Sequence, residues 1–432
     1  LHYRDRDREG SAARPFIQME ELIMKNDDRS SRPLSASRRL FLQRTSLLTG
    51  MIALGGGSYL YNPKGVWAAA PIKVGIATDL TGAISWGGIP NSQVAKMVID
   101  EINKGGGLLG RPLQMILEDT ATNEQLAVTK VRKLVTQDKV DVVFGGITSS
   151  MRNAIKDTIV NRGKTLYIYP QLYEGKECTP YLFCTGPTPA QQCDTFIPWL
   201  IKNGGKKFYL PSADYVWPHT LNAYARTVIV KNGGEVIGEE YFPVDHNEYS
   251  ATVNKIMSSG VNVVFNTTIP PGVAAFFKQL NEAGFQKKGG RLACVYYDEN
   301  ALGITPAHEI EGLASCLDYF KAVNDPFGNQ LQAEYGKLFG DKNPFTAGSG
   351  ATGMYRGLKL WEAAVKEAKS VKREPVAAAL DHAKISNGPG GGCEMVPGTR
   401  HVKMNMYTAV SKGGKYEIVE KSNGPVMPGE CA

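Results

Sequence analysis

Four short stretches of the sequence gather hydroxyl, amide and aromatic side chains directly after apolar runs. They are Ser85-Trp86 behind TDLTG, Ser149-Ser150 in GGITSS, Tyr169-Pro170-Gln171-Leu172, and Asp214-Tyr215-Val216-Trp217. Thr267 and Asp298 stand in the same relation to two further apolar runs. Aromatic rings offer flat faces with an O–H or N–H handle, and serine and glutamine add hydrogen bonds, a set suited to a small planar polar molecule. Each residue also has an ordinary use, because serines cap helices and aromatics fill cores. Ser149 and Ser150 open a helix, whose free N–H groups also receive a carbonyl or carboxylate. The joint placement of these residues at the ends of apolar runs favours a binding cleft.

Other chemistries lack their parts. There is no G-x-S-x-G elbow, no H-E-x-x-H pair and no Walker A loop, and the six histidines include no i, i+4 pair. Ser149 as a nucleophile needs a nearby base, and no histidine follows a strand end near the cleft. GGGLLG at 105–110 fits G-x-G-x-x-G, yet a helix precedes it and a strand follows, the reverse of a phosphate cradle, so it is a helix-ending turn. The seven cysteines form no CxxC pair, so no metal site is expected. A Cys178–Cys184 bridge is open to an oxidised chain, with isolated buried thiols the plainer alternative. No cofactor is expected.

The elements that position these residues alternate. Strands are expected at 72–78, 113–119, 140–146 and 165–170, with helices at 91–104, 122–138 and 150–162 between them. The rhythm restarts at 207–213, 235–243, 261–268 and 291–298. After Asp298 the pattern turns helical, notably over 353–369, until NGPGGG at 387–392 breaks it. A closing hairpin pairs HVKMNMYTAV with YEIVEK around Gly413-Gly414. Two successive β/α sets predict an α/β protein with two doubly wound parallel sheets, binding loops at the strands' carboxyl ends.

At 432 residues the chain exceeds one hydrophobic core. Residues 1–70 carry 11 Lys/Arg against 7 Asp/Glu; taking that +4 from the net +7 leaves +3 on the rest. That remainder has no basic run with interleaved aromatics, so no nucleic-acid partner is expected. Arg38-Arg39 before Phe41-Leu42, an uncharged stretch from Thr45 to Asn62, and small residues at Ala68–Ala70 follow the order of an export leader of the twin-arginine kind. The stretch is too short and glycine-broken for a comfortable membrane span, and no cysteine at the junction suggests a lipid anchor. The chain opens on Leu1, so an upstream extension is expected, with Met19 or Met24 as initiator.

IKVGIATDLTGAISWGG, INKGGGLLGRPLQMILED and QLAVTKVRKLVTQDKVDVVFGG resemble the type I periplasmic binding proteins that serve ABC transporters, a group that includes branched-chain amino acid receptors. The resemblance runs from about Pro71 to about Lys421. VFGGITSSMRNAI, YIYPQLYEGKE, SADYVWPHTLN, GEEYFPV and VFNTT are similar to its urea and short-chain amide branch, most specifically YEG at 173–175 and the segment 214–218. The resemblance implies a solute held by Ser149, Tyr169, Gln171, Leu172, Tyr215 and Trp217; Trp86, Ser150, Thr267 and Asp298 join them from their strand-end positions. The chain departs from that branch at Ile147, where an aromatic is usual, at Gln171-Leu172, and at the bulky Trp217.

The whole implies an exported, non-enzymatic solute-binding component of an ABC transporter: two flavodoxin-like lobes that close on an amide- or urea-like solute in the periplasm and present it to an inner-membrane permease. Lobe one takes residues 71–188 and 317–385, lobe two 189–316 and 386–432, with crossovers near 188, 317 and 386. An amino acid ligand is the alternative within the class, with Asp214, Glu174 and Asp298 as ammonium partners. A cytoplasmic amide sensor of the same fold is the rival outside it, and the leader argues against that.

Overall fold

The computed structural model describes residues 69–340 and 342–431. The expected leader, its junction before Ala69 and the candidate initiators lie outside the described residues.

The first half-chain runs β1 (Ile72–Thr78), α1 (Ser85–Lys104), β2 (Leu113–Asp119), α2 (Glu124–Lys133), β3 (Val142–Gly145), α3 (Ser149–Asp157), β4 (Leu166–Tyr169) and β5 (Leu182–Cys184). α2 and α3 each end in a π turn, 134–138 and 158–162, which accounts for the longer helices expected there. The second set is α4 (Pro189–Asn203), β6 (Lys207–Ala213), α5 (Val216–Lys231), β7 (Glu235–Phe242), α6 (Ser250–Ser258), β8 (Val263–Phe265), α7 (Gly272–Glu282), β9 (Arg291–Cys294), α8 (Glu299–Leu302) and β10 (Ala314–Leu317). Then come α9 (Pro326–Phe339), α10 (Ser349–Ala368), α11 (Arg373–Leu380), β11 (Lys384–Ile385), β12 (Cys393–Val396), β13 (His401–Lys403), β14 (Tyr407–Lys412) and β15 (Lys415–Lys421).

Two sheets result, ordered β11-β12-β13-β5-β4-β3-β1-β2 and β15-β14-β10-β9-β8-β6-β7. In each, the first five strands of the set are parallel in the order 2-1-3-4-5 of a flavodoxin-like fold, with further strands added at one end: β13 parallel to β5 and then β12 antiparallel to β13 in the first sheet, β14 antiparallel to β10 in the second. Alternation along each strand feeds both faces. Val143, Tyr167 and Tyr169 meet Val131, Met151 and Ile155 beneath α2 and α3. Phe144 and Ile168 face α1 and α10 instead, with Phe144 edge-on to Trp361 at 6.1 Å.

Four expectations are corrected. HVKMNMYTAV is not one strand: His401–Lys403 pairs beside β5 in the first sheet, and Tyr407–Lys412 pairs beside β10 in the second. The third passage between sheets therefore lies at 404–406 rather than near 386. At 390 and 391 the glycines take φ of 75° and 110°, and this turn leads the chain into β12, antiparallel to β11, so residues 393–403 stay with the first sheet. The run after Asp298 also contains a strand, β10, whose four buried residues show no alternation. Cys178 pairs with Cys431, 253 residues away, while Cys184 is buried in β5 as a free thiol.

Candidate functional site

In a 2-1-3-4-5 sheet the connections after strands 1 and 3 leave in opposite directions and open a crevice at the carboxyl edge. Here both sheets contribute such a crevice to one cavity. After β1 and β3 come Ile84, Trp86 and Gly87, then Ile147, Thr148 and Ser149; after β6 and β8 come Tyr215 and Trp217, then Ile269. Gln171 and Leu172 follow β4, Tyr296 follows β9, and Gly350 opens α10. The space open to the centre of a water-sized sphere is about 70 Å³, room for several water-sized groups.

Local chemistry fixes each wall. The turn after β1 is held by carboxylates: Asp119 accepts from Leu80 N–H (2.9 Å) and Thr81 Oγ1 (2.7 Å), and Asp79 from Thr122 N–H (3.1 Å). α1 then starts six residues earlier than expected, at Ser85, and carries Trp86 in its first turn. Gly88 permits this, since a Cβ there would lie 1.9 Å from the Asp79 carbonyl oxygen. At α3 the cap is Thr148, whose Oγ1 accepts from Met151 N–H at 3.1 Å, so the neighbouring serines are released from the role expected of them. Ser149 lines the cavity, whereas Ser150 hydrogen-bonds Glu124 (2.9 Å) outside it. Gln171 donates to the Gly350 carbonyl at 3.0 Å, which also receives Asn91 Nδ2 at 2.5 Å. Gly353 lets α10 approach this closely, as a Cβ there would meet the Pro170 carbonyl at 1.9 Å.

The aromatic wall is shared. Tyr296 stands 6.5 Å from Trp86 and 5.8 Å from Trp217, the latter edge-on at 86°, and Tyr215 lies 6.1 Å from Trp217. Burial pushes the Tyr215 hydroxyl well above its usual pKa, with nearby Tyr169 and Glu174 adding to the effect, so it is an uncharged donor. The indole Nε1 atoms of Trp86 and Trp217 are buried without a hydrogen-bond partner.

Of the ten residues singled out from sequence, Trp86, Ser149, Gln171, Leu172, Tyr215 and Trp217 meet around this space, and Ser150, Tyr169, Thr267 and Asp298 do not line it. Tyr169 is fully buried behind the wall, donating to the Ile147 carbonyl at 2.9 Å beside Ser149. Thr267 ties β8 to β6 through Ser212 Oγ (2.7 Å). Asp298 caps α8 and accepts from Gly350 N–H (3.0 Å), so it reaches the cavity only through that glycine. The other two suggested ammonium partners are also engaged elsewhere: Asp214 is exposed against His219 (2.8 Å), and Glu174 pairs with Arg152 (2.7 Å).

That Arg152 cluster is the support beneath the site. One turn along α3 from Ser149, the guanidinium sits 5.1 Å from the Tyr169 ring centre and 4.8 Å from that of Tyr173, and pairs with Glu177 at 3.0 Å. Lys156 adds a second cation to Glu177 at 2.9 Å. Burial alone would raise the Glu177 pKa; hydrogen bonds from Thr179 and Lys156 and the Arg152 charge outweigh it and hold the carboxyl at about 2.

Sequence reasoning missed Ile84, Gly87, Thr148, Ile269, Tyr296 and Gly350 as lining residues. Tyr296 and Ile269 lie two residues from Asp298 and Thr267, so the right strand ends were chosen with the wrong side chain. Gly350 is delivered by α10 from far along the chain and has no local signature. Among the described residues no cluster of metal-ligating side chains exists, and no helix is long and apolar enough to cross a membrane.

Comparisons with known proteins agree with this architecture. Leu/Ile/Val-binding protein homolog 7 of Brucella abortus (strain 2308) is 22% identical over 342 residues, 74% of this chain and 83% of that protein. A solute binding protein of an ABC transporter from Rhodopseudomonas palustris BisB5, solved with 3,4-dihydroxybenzoic acid, superposes with a TM-score of 0.74 at 23% identity, over 83% of this chain and 99% of that one. A leucine binding protein from Thermotoga maritima does so at 0.69 and 18% identity, over 82% and 99%. At these identities the structures attest the fold. With the family's sequence profile matching residues 71–415, the chain belongs to the periplasmic binding protein family.

Proposed function

We propose that this protein is the exported solute-binding component of an ABC transporter, capturing a small amide- or urea-like molecule between its lobes. The observation that carries the reading is the single cavity to which the switch-point loops of both sheets contribute, with Ser149 and Gln171 from one and Tyr215 and Trp217 from the other. A solute touching both walls stabilises the closed arrangement by its differential affinity, and the permease reads that closed face. The Cys178–Cys431 disulfide supports an oxidising, periplasmic setting, consistent with a twin-arginine leader. The solute-binding relatives support a role without catalysis. Named relatives for leucine, isoleucine and valine, and a neighbour solved with an aromatic acid, make amino acids and aromatic acids the competing ligands.

Thermal-shift titration of the mature protein with ureas, amides, amino acids and aromatic acids tests the reading. A ligand bound at 100 times its dissociation constant adds about 2.7 kcal/mol to stability, which raises the melting temperature measurably. Trp217→Ala abolishes that shift while the unliganded protein still melts cooperatively. A shift unchanged in Trp217→Ala places the ligand elsewhere and defeats the proposal.

A further inference from the structure

Gly350, in the cavity wall, is held from both lobes. It opens α10, which packs on α1 and β3 of the first lobe. Its carbonyl accepts from Asn91 (2.5 Å) and Gln171 (3.0 Å) of that lobe, while its N–H donates at 3.0 Å to Oδ2 of Asp298, which follows β9 in the second. α10 needs that acceptor. A helix leaves its first N–H groups without intrahelical partners, and the side chain of the residue just before it usually supplies one. Here that residue is Gly348, which has no side chain to offer. The glycine also makes room, because a Cβ at 348 would stand 2.5 Å from Asp298 Oδ2. A carboxylate of the opposite lobe therefore does the capping, where the positive end of the helix favours it.

Two neighbours define the contact. Asn300, beside Asp298 on α8, grips Thr346 with both amide atoms, accepting from its N–H (2.8 Å) and donating to its carbonyl (3.2 Å). The start of α10 and the loop before it are thus tied to the second lobe at two points. Asp318 also serves this helix end, accepting from Ser349 and Thr352 and pairing with Arg356, but it lies on the passage between the lobes just past β10.

We propose that Asp298 is the positioning residue that couples closure to capture: as the lobes shut on a solute its carboxylate caps α10 from the opposite lobe and seats Gly350 in the cavity wall, and as they open the cap is lost. Rotation about the passages leaves the Asp318 bonds in place and parts those of Asp298 and Asn300, so only the latter favour the closed state. The inference rests on the proposed solute site and adds the group that holds it shut. It is indifferent to the solute's charge, because Asp298 does not line the cavity and acts through Gly350.

The two oxygens of Asp298 allow its roles to be separated. Oδ1 caps α8 through the N–H groups of Asn300 (2.9 Å) and Ala301 (3.3 Å), and Oδ2 reaches Gly350. Asp298→Asn keeps an oxygen for α8, since asparagine caps as well as aspartate, and turns an NH2 group toward the Gly350 N–H. Calorimetry and stopped-flow mixing of the mature protein use urea, propionamide, leucine and 4-hydroxybenzoate as separate probes. At least one is expected to bind, and Asp298→Asn to weaken it by about tenfold or more, the loss of one charged hydrogen bond. The loss should lie in faster dissociation at an unchanged association rate, while the unliganded variant melts within a few degrees of the parent. Independently of any variant, that probe should slow hydrogen exchange of the unaltered protein at 346–350 and leave 358–365 of the same helix unchanged. Parent affinity in Asp298→Asn overturns the inference. So does exchange at 346–350 that is equally slow without the probe, which would make the contact a fixed part of the hinge; the solute-binding reading survives both results. Four probes that give neither heat nor protection take down that reading and this one together.

Discussion

Tyr169 and Arg152 illustrate how a residue shapes a binding wall without touching the guest. The Tyr169 ring is packed under the guanidinium, and its hydroxyl holds the Ile147 carbonyl, so the segment 147–149 is fixed from behind. Replacing Arg152 by Met leaves Glu174 and Glu177 buried with only Lys156 for company. Removing one partner of such a pair costs about 3–5 kcal/mol, and denaturant unfolding should show that loss; a cost under about 1 kcal/mol would mean the cluster is better hydrated than its burial implies. The placement of Ser149, Gln171 and Trp217 at the cavity was legible because polar and aromatic residues at strand ends have few alternatives. Tyr169 was misassigned because a strand's last residue points to one face or the other, and the sequence run LYIY carries no alternation to say which. YEG at 173–175 stood out in sequence for a reason visible only in three dimensions: Glu174 is the carboxylate that neutralises Arg152.

The elements themselves were legible wherever a strand of seven or eight residues sat between helical periods, as in β1, β2, β6 and β7. Short buried strands were not: ASCL at 314–317 reads equally as helix, and His401–Lys403 is set apart from Tyr407–Lys412 only by which sheet each joins. Helix starts depend on single caps, and Thr148 shows the consequence. Thr148→Ala removes the acceptor for Met151 N–H and should cost about 1 kcal/mol, whereas Thr148→Ser keeps the cap and should be nearly neutral. Equal midpoints in urea for the two variants would show that α3 is held by packing alone. The same substitution should weaken solute binding more than its stability cost alone predicts, since Thr148 also lines the cavity.

Across the whole molecule, the passages between lobes are sewn to each other. Asp318, just past β10, pairs with Arg356 of α10 at 2.5 Å, and Arg356 Nε donates to the Thr185 carbonyl just past β5 at 3.1 Å. The C-terminal tail adds a further tie, with Val426 and Pro428 carbonyls accepting from Gln191 and Thr188 and Cys431 bonded to Cys178. Acid should loosen this assembly in two stages. Buried His401, its Nδ1 turned to the Thr399 carbonyl and Nε2 to the Tyr173 hydroxyl, has its pKa lowered by burial from 6.5 to about 4. The unfolded chain therefore binds more protons between those values, so stability is full above 6.5 and lost as pH falls toward 4. Glu177, lowered from 4.5 to about 2, removes more below 4.5. Glu299, raised by burial and by Asp298 from 4.5 to about 8, works oppositely and takes stability away as pH rises through that range. His401→Gln should flatten the stage above pH 4.5 and leave the lower one; an unchanged slope would assign it elsewhere. The disulfide closes a loop of 253 residues, long enough that the chain-entropy argument places its contribution at the upper part of the usual 2–4 kcal/mol or beyond. Cys178→Ser with Cys431→Ser should lower the melting temperature accordingly, yet keep the solute cavity, because the tail's hydrogen bonds to Thr188 and Gln191 remain. Loss of solute binding in a double variant that still melts cooperatively would show instead that the tail holds the Glu174–Arg152 support in place.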